Sequence, residues 1–221
     1  MIRLNQKKMK KKIKLMGIAG KAGSGKDTVA TIIQFLTLDD EVFSKTNKDC
    51  LADLEHKGYC ASKSKWEIKK FATALKKVVS ILLGCKVKDL EDREYKETPL
   101  GKEWVSIDVE LTPRDILQQV GTDIGRNINQ NVWVNALFNQ ITKKSRWIIS
   151  DVRFHNEVQA IKDRGGLLIK VIRPSNNNTG LHISETALDN FDGFDEVIIN
   201  DGSLYDLIDK VRLIIKKHKI K

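Results

Sequence analysis

A chain of 221 residues with 41% apolar content can bury one sizeable core but not two large independent ones, so a single α/β domain is the starting expectation. Its three cysteines, Cys50, Cys60 and Cys85, lack C-x-x-C spacing and exclude a disulfide framework or zinc ribbon; Cys50, His56, Cys60 and Cys85 together match no metal-ligand pattern. No secretory signal and no run of about 18 apolar residues is present, which points to a soluble, unprocessed protein of the reducing cytoplasm with no membrane partner.

The net charge of +10 is concentrated at the ends. Residues 1–14 carry seven positive charges and no acid, and residues 210–221 carry six and no acid, which leaves the span 15–209 at −3. Solvated basic termini, the first twelve residues forming a tail, account for this better than a nucleic-acid surface.

In chain order, Ile13 to Ala19 is a short apolar run, and Thr28 to Leu38 has amphipathic helical spacing, so strand, glycine loop and helix follow one another. The polar stretch Asp39 to Lys65 gives no clear element. Trp66 to Phe71 predicts a strand, and Ala72 to Leu83 a helix with Leu75, Val78, Val79 and Leu82 on one face, stopped by Gly84. Lys86 to Glu110 predicts a short helix and an irregular excursion. Thr112 and Pro113 start a helix that runs to Asn127, and another is expected over Val132 to Thr142. Arg146 to Ser150 predicts a strand, Asn156 to Arg164 a helix and Leu167 to Ile172 a strand. Arg173 to Gly180 has loop chemistry; Phe194 to Ile199 and Leu204 to Ile215 give a last strand and helix. Strands alternating with helices predict a parallel sheet covered on both faces.

Gly20-Lys21-Ala22-Gly23-Ser24-Gly25-Lys26 fits G-x-x-x-x-G-K between a strand and a helix, the context in which backbone N–H groups cradle phosphates and Lys26 reaches them. Asp27 stands where this motif usually has a metal-binding hydroxyl, with Thr28 one place late. Asp27 could ligate Mg²⁺, hold a metal-bound water or favour the positive helix start, and these stay open. Asp151, ending an apolar strand, is the candidate carboxylate for Mg²⁺, and Arg153 the candidate cation for a transferred phosphoryl group.

GKAGSGKDT from Gly20, LQQVGTDIGR from Leu117, Trp133, SDVRFHNE from Ser150 and HISE from His182 occur in the order found in phage deoxynucleoside monophosphate kinases, and over residues 13 to 200 the chain resembles that family. The family also tends to carry Asp after the loop lysine; where it often has proline after D-V-R-F, this chain has His155. The resemblance implies a P-loop NMP-kinase-like three-layer fold over 1–221, with a helical acceptor-binding insertion at about 39–145 and a lid-like loop at about 173–186. It further implies transfer of phosphate from ATP, with Mg²⁺, to a deoxynucleoside monophosphate, and admits a homodimer. Lys26, Asp151 and Arg153 match its catalytic positions; the loop from Gly20 to Thr28 and Arg173 would bind ATP. Asp27 and Asp151 would hold the metal, and Arg114, Gln118, Thr122, Asp123, Arg126 and Trp133 the acceptor. Lys76 and Lys96 are candidate contacts to the acceptor phosphate, while Trp133 is equally readable as a core residue and His182 as a loop-fixing one.

Two other readings compete. Animal phosphomevalonate kinases are similar at the phosphate loop, at S-D-x-R and at Leu188 to Phe194, LDNFDGF. A P-loop NTPase working on a nucleic acid through the lysine tails is the reading from a different class, opposed by the −3 core.

Overall fold

The computed structural model describes residues 13–38, 46–56, 58–59, 61–174 and 182–221; the basic tail 1–12, Cys60 and residues 175–181 of the lid-like loop lie outside the described residues. The chain begins with β1 (Leu15–Ala19), buried throughout, and α1 (Lys26–Leu36). The polar stretch without a predicted element contains α2 (Asn47–Glu55), started by a Thr46/Asp49 capping box. Next come β2 (Glu67–Lys69), α3 (Ala72–Leu83) and the short α4 (Arg93–Glu97). The predicted excursion is a hairpin of β3 (Val105–Ser106) and β4 (Val109–Glu110), whose turn holds Ile107 and Asp108 at φ of 49° and 63°.

The helix expected from Thr112 to Asn127 is broken into α5 (Pro113–Gln118), a π-helical turn over Gln119–Ile124, and α6 (Gly125–Ile128). Close packing accompanies the break. A side chain at Gly121 would meet Leu75 at 2.8 Å and one at Gly125 would meet Trp133 at 2.6 Å, while the Trp133 indole donates to the Gly121 carbonyl at 2.8 Å. The chain finishes with α7 (Val132–Phe138), β5 (Trp147–Val152), α8 (His155–Asp163), β6 (Leu167–Ile172), α9 (Ile183–Thr186), β7 (Glu196–Ile199) and α10 (Leu204–His218).

Five strands form one parallel sheet in the order β2-β5-β1-β6-β7. Alternation along β1 splits the core: Met16 and Ile18 pack with α1 and α10, whereas Leu15 and Ala19 pack with α7 and α8. A third apolar cluster, around Val79, Leu90, Ile116 and Val120, ties α3 to α5. Because β1 is central and its neighbours β5 and β6 come later in the chain, the carboxyl end of β1 is a point where connections diverge, the place ligands occupy in open α/β sheets. Among the described residues no helix is long and apolar enough to cross a membrane.

Candidate active site

The phosphate loop leaves the carboxyl end of β1 and turns into α1. Gly20, Gly23 and Gly25 have φ of 151°, 75° and 100°, which glycine enters without strain. A Cβ at Gly20 would lie 2.3 Å from the Val171 carbonyl, so no other residue fits there. Asn200, just after β7, donates its side-chain amide to the Ser24 carbonyl at 2.9 Å and clamps the loop from below. Lys26 reaches back over the loop, donating to the carbonyls of Gly20 and Lys21 at 2.6 and 2.7 Å. Burial and then the Arg153 charge lower its pKa to about 8, against the pull of Glu185, Asp27 and Asp151. The Ser24 hydroxyl is buried with no hydrogen-bond partner among the described residues, a polar atom that suits a ligand phosphate. Thr28 is half-buried in the first turn of α1.

Asp27 is exposed and accepts a hydrogen bond from the buried Ser150 hydroxyl at 2.7 Å, while the Lys70 ammonium lies 3.3 Å from the same carboxylate. Against β1 the register of β5 shifts, Gly17 facing Ile149 and Ala19 facing Val152, and this irregularity falls at Ser150 and Asp151. Asp151 has an engagement that the sequence does not announce. Its two oxygens accept the Phe71 and Ala72 amides at 2.8 and 2.9 Å and so cap α3, whose own N-cap residue, Phe71, has no side-chain acceptor. Burial pushes the Asp151 carboxyl above its usual range, opposed by those two amides.

Arg153 follows β5 and turns toward the loop. Its guanidinium pairs with Glu185 and lies 3.4 Å from the Ser184 hydroxyl. The other Glu185 oxygen accepts the Ala22 amide at 2.8 Å, so one carboxylate bridges Arg153 and the phosphate loop. His182 fixes the start of α9 by accepting the Ser184 amide at 3.2 Å. Behind Arg153, buried Glu157 accepts the Arg153 and Phe154 amides at 2.8 and 3.1 Å. Its other oxygen pairs with Arg126 at 2.8 Å, and burial pushes Glu157 up to about 7.

The expectation that Arg126 faces an acceptor pocket is corrected here: it is 8% exposed, bound to Glu157, and stacked 3.7 Å over the Phe154 ring. Helical spacing allowed a pocket-facing polar row, but in α6, after the π-helical turn, Gly125 and Arg126 are both buried. Trp133 is half-buried with its indole N–H donating to the Gly121 carbonyl. Gln118 and Thr122 are half-buried and Asp123 is exposed. Lys76 pairs with Glu91 at 2.6 Å and Arg114 with Glu97 at 2.6 Å. Lys96 lies among them: burial and then the charges of Lys76 and Arg114 lower its pKa. Three cations thus gather on the α3–α5 side. Opposite, Gly20, Lys21, Ser24, Arg153, Arg173 and Glu185 line a cavity of about 240 Å³. No group of three or more His, Cys, Asp or Glu side chains assembles a metal site among the described residues.

Sequence reasoning missed Lys70 and Asn200, whose partners lie far away in the chain, and Glu157, whose Arg153 and Phe154 amides are local but whose Arg126 partner is not. Ser150 and Glu185 were within reach, since they sit inside S-D-x-R and H-I-S-E. A model of the family described as deoxynucleotide monophosphate kinase matches residues 67–211. The chain is 29% identical over 212 residues to a protein of Acanthamoeba polyphaga mimivirus provisionally named a deoxynucleotide monophosphate kinase, covering 89% of this chain and 93% of that one. Against the deoxynucleotide monophosphate kinase of Enterobacteria phage T4 it is 32% identical over 117 residues, 50% of this chain and 48% of the phage protein. With that of Escherichia phage RB69 the identity is 30% over 109 residues, 47% of this chain and 44% of the other.

Proposed function

The chain belongs to the deoxynucleotide monophosphate kinase family, and from that premise we propose that it moves the terminal phosphoryl group of ATP, with Mg²⁺, onto the 5′-phosphate of a deoxynucleoside monophosphate in the cytoplasm. The observation that carries the reading is the convergence of Lys26 and Arg153 at the mouth of a glycine loop, where the Glu185 carboxylate already sits as an anion. In the reaction an oxygen of the acceptor phosphate forms a bond to the γ-phosphorus as the bond to ADP breaks. Little covalent work is left to the protein, so charge neutralisation and alignment dominate.

The loop amides and Lys26 hold the donor phosphates, Arg173 faces the nucleotide cavity, and Arg153 meets charge developing on the transferred group. Mg²⁺ commonly takes one or two carboxylates plus phosphate oxygens and water, a demand that Asp27 suits: it is exposed beside the loop and oriented by Ser150. The ion would neutralise donor phosphate charge there. Asp151, whose oxygens each accept an amide, is read chiefly as the anchor of α3. Lys76, Lys96 and Arg114 are the acceptor-side cations, with Gln118, Thr122 and Asp123 beside them.

The assay is ADP formation with Mg²⁺-ATP and, in turn, each deoxynucleotide, each ribonucleotide, phosphomevalonate and single-stranded DNA. Turnover is expected with one or more deoxynucleotides; stimulation by DNA alone would overturn the reading, and turnover with phosphomevalonate alone would reassign the acceptor. A pH series adds a second check. Lys26 loses its charge as pH rises through about 8, so ATP should bind about tenfold more weakly at pH 9 than at pH 7.

A further inference from the structure

Glu185 is an anion held where an anion would be unwelcome to the donor. Its side chain is 13% exposed, and its two oxygens take the Ala22 amide and the Arg153 guanidinium. Both are donors of the kind that a terminal phosphate uses: a loop N–H and a bidentate cation. Lys26 lies close enough to feel the same carboxylate. Ala22 is exposed at the outer bend of the loop, whereas the inner phosphates of a nucleotide belong at the first turn of α1. Two negative groups cannot share this seat, since like charges a few ångströms apart in a partly buried site repel strongly.

We infer that Glu185 occupies the seat of the donor's terminal phosphate and thereby sets selectivity among nucleotides: a triphosphate must displace it, while a diphosphate, one phosphoryl group shorter, leaves it in place. The inference rests on ATP being the donor. The carboxylate takes up Arg153 whenever no terminal phosphate is bound, so the cost of freeing it falls on the triphosphate alone. The fold already supplies the exchange partner, because α9 presents Ser184 and Glu185 together to Arg153.

The test compares binding of ADP and of a non-hydrolysable ATP analogue, each with Mg²⁺, by calorimetry on the full chain, the Glu185→Gln variant and the Glu185→Ala variant. Glutamine keeps an oxygen for the Ala22 amide and removes the charge from Arg153. A seat filled by the carboxylate about nine-tenths of the time reduces apparent triphosphate affinity about tenfold, so the variants should bind the analogue about tenfold more tightly with ADP changed far less. Weaker binding of the analogue would show instead that Glu185 holds Arg153 in its working position, and equal tightening of both nucleotides would show a general charge effect; either overturns the inference. Failure of the unmodified chain to bind either nucleotide would overturn the ATP reading itself, an outcome seen without any variant.

Discussion

Lys26→Ala is expected to lower kcat for phosphoryl transfer about 10³-fold while leaving the thermal midpoint at pH 7 unchanged or slightly higher. The loss of rate follows from position. Lys26 is the cation at the loop mouth, where the phosphates of the proposed donor would lie, and no other lysine in the described site reaches over the loop carbonyls. The stability half follows from its pKa. A lysine whose folded value, about 8, lies below its ordinary value of 10.5 burdens the fold wherever both states are protonated, including pH 7, and the burden is relieved only as pH rises from about 8 toward 10.5. Alanine removes that burden along with two part-buried hydrogen bonds to the Gly20 and Lys21 carbonyls, whose loss offsets part or all of the gain. Steady-state kinetics and a thermal melt on the same preparation check both halves. A variant that loses activity and melts well below the parent would make Lys26 a structural residue.

What could be read from the sequence is whatever depends on neighbours in the chain. The buried run of β1, the glycine loop and α1 are local, and so is the start of α5, where Thr112 and Asp115 form a capping box around Pro113. The α3 face was legible by its period. Its N-terminus was not: the residue there is Phe71, and its cap comes from Asp151, a residue that sequence pattern alone reads as a metal ligand. Arg126 shows the same limit. Polar spacing in a helix marks a face but not what lies opposite, and here it is Glu157. The β3–β4 turn escaped because Ile107 and Asp108 hold left-handed backbone without the usual glycine.

Glu157→Gln is expected to cost about 3 kcal/mol of stability, lowering the thermal midpoint by about 6–12 °C, and to reduce kcat as well. Glu157 is 3% exposed and serves two masters with two oxygens: the amides of Arg153 and Phe154 at the start of α8, and the Arg126 guanidinium. All of these are donors. Glutamine offers one acceptor oxygen and one NH₂, so in either orientation a donor faces a donor, leaving either the helix start unsatisfied or the buried guanidinium, which still donates to the Gln130 carbonyl and Asn156 Oδ1, without its only carboxylate among the described residues. Arg126 cannot escape to water, being 8% exposed and stacked on Phe154. Since the Arg153 amide is one of the groups released, the guanidinium proposed to meet the transferred phosphoryl group loses its backbone anchor, which couples the stability loss to the rate. The decisive variant is Arg126→Met combined with Glu157→Gln. With the guanidinium gone, the glutamine oxygen can turn to the two amides and its NH₂ faces no cation, so about half of the lost stability should return. Chemical denaturation of the parent, both single variants and the double variant at pH 8 gives the coupling directly. A double variant no more stable than Glu157→Gln would place the cost in the helix start alone and remove Arg126 from the account.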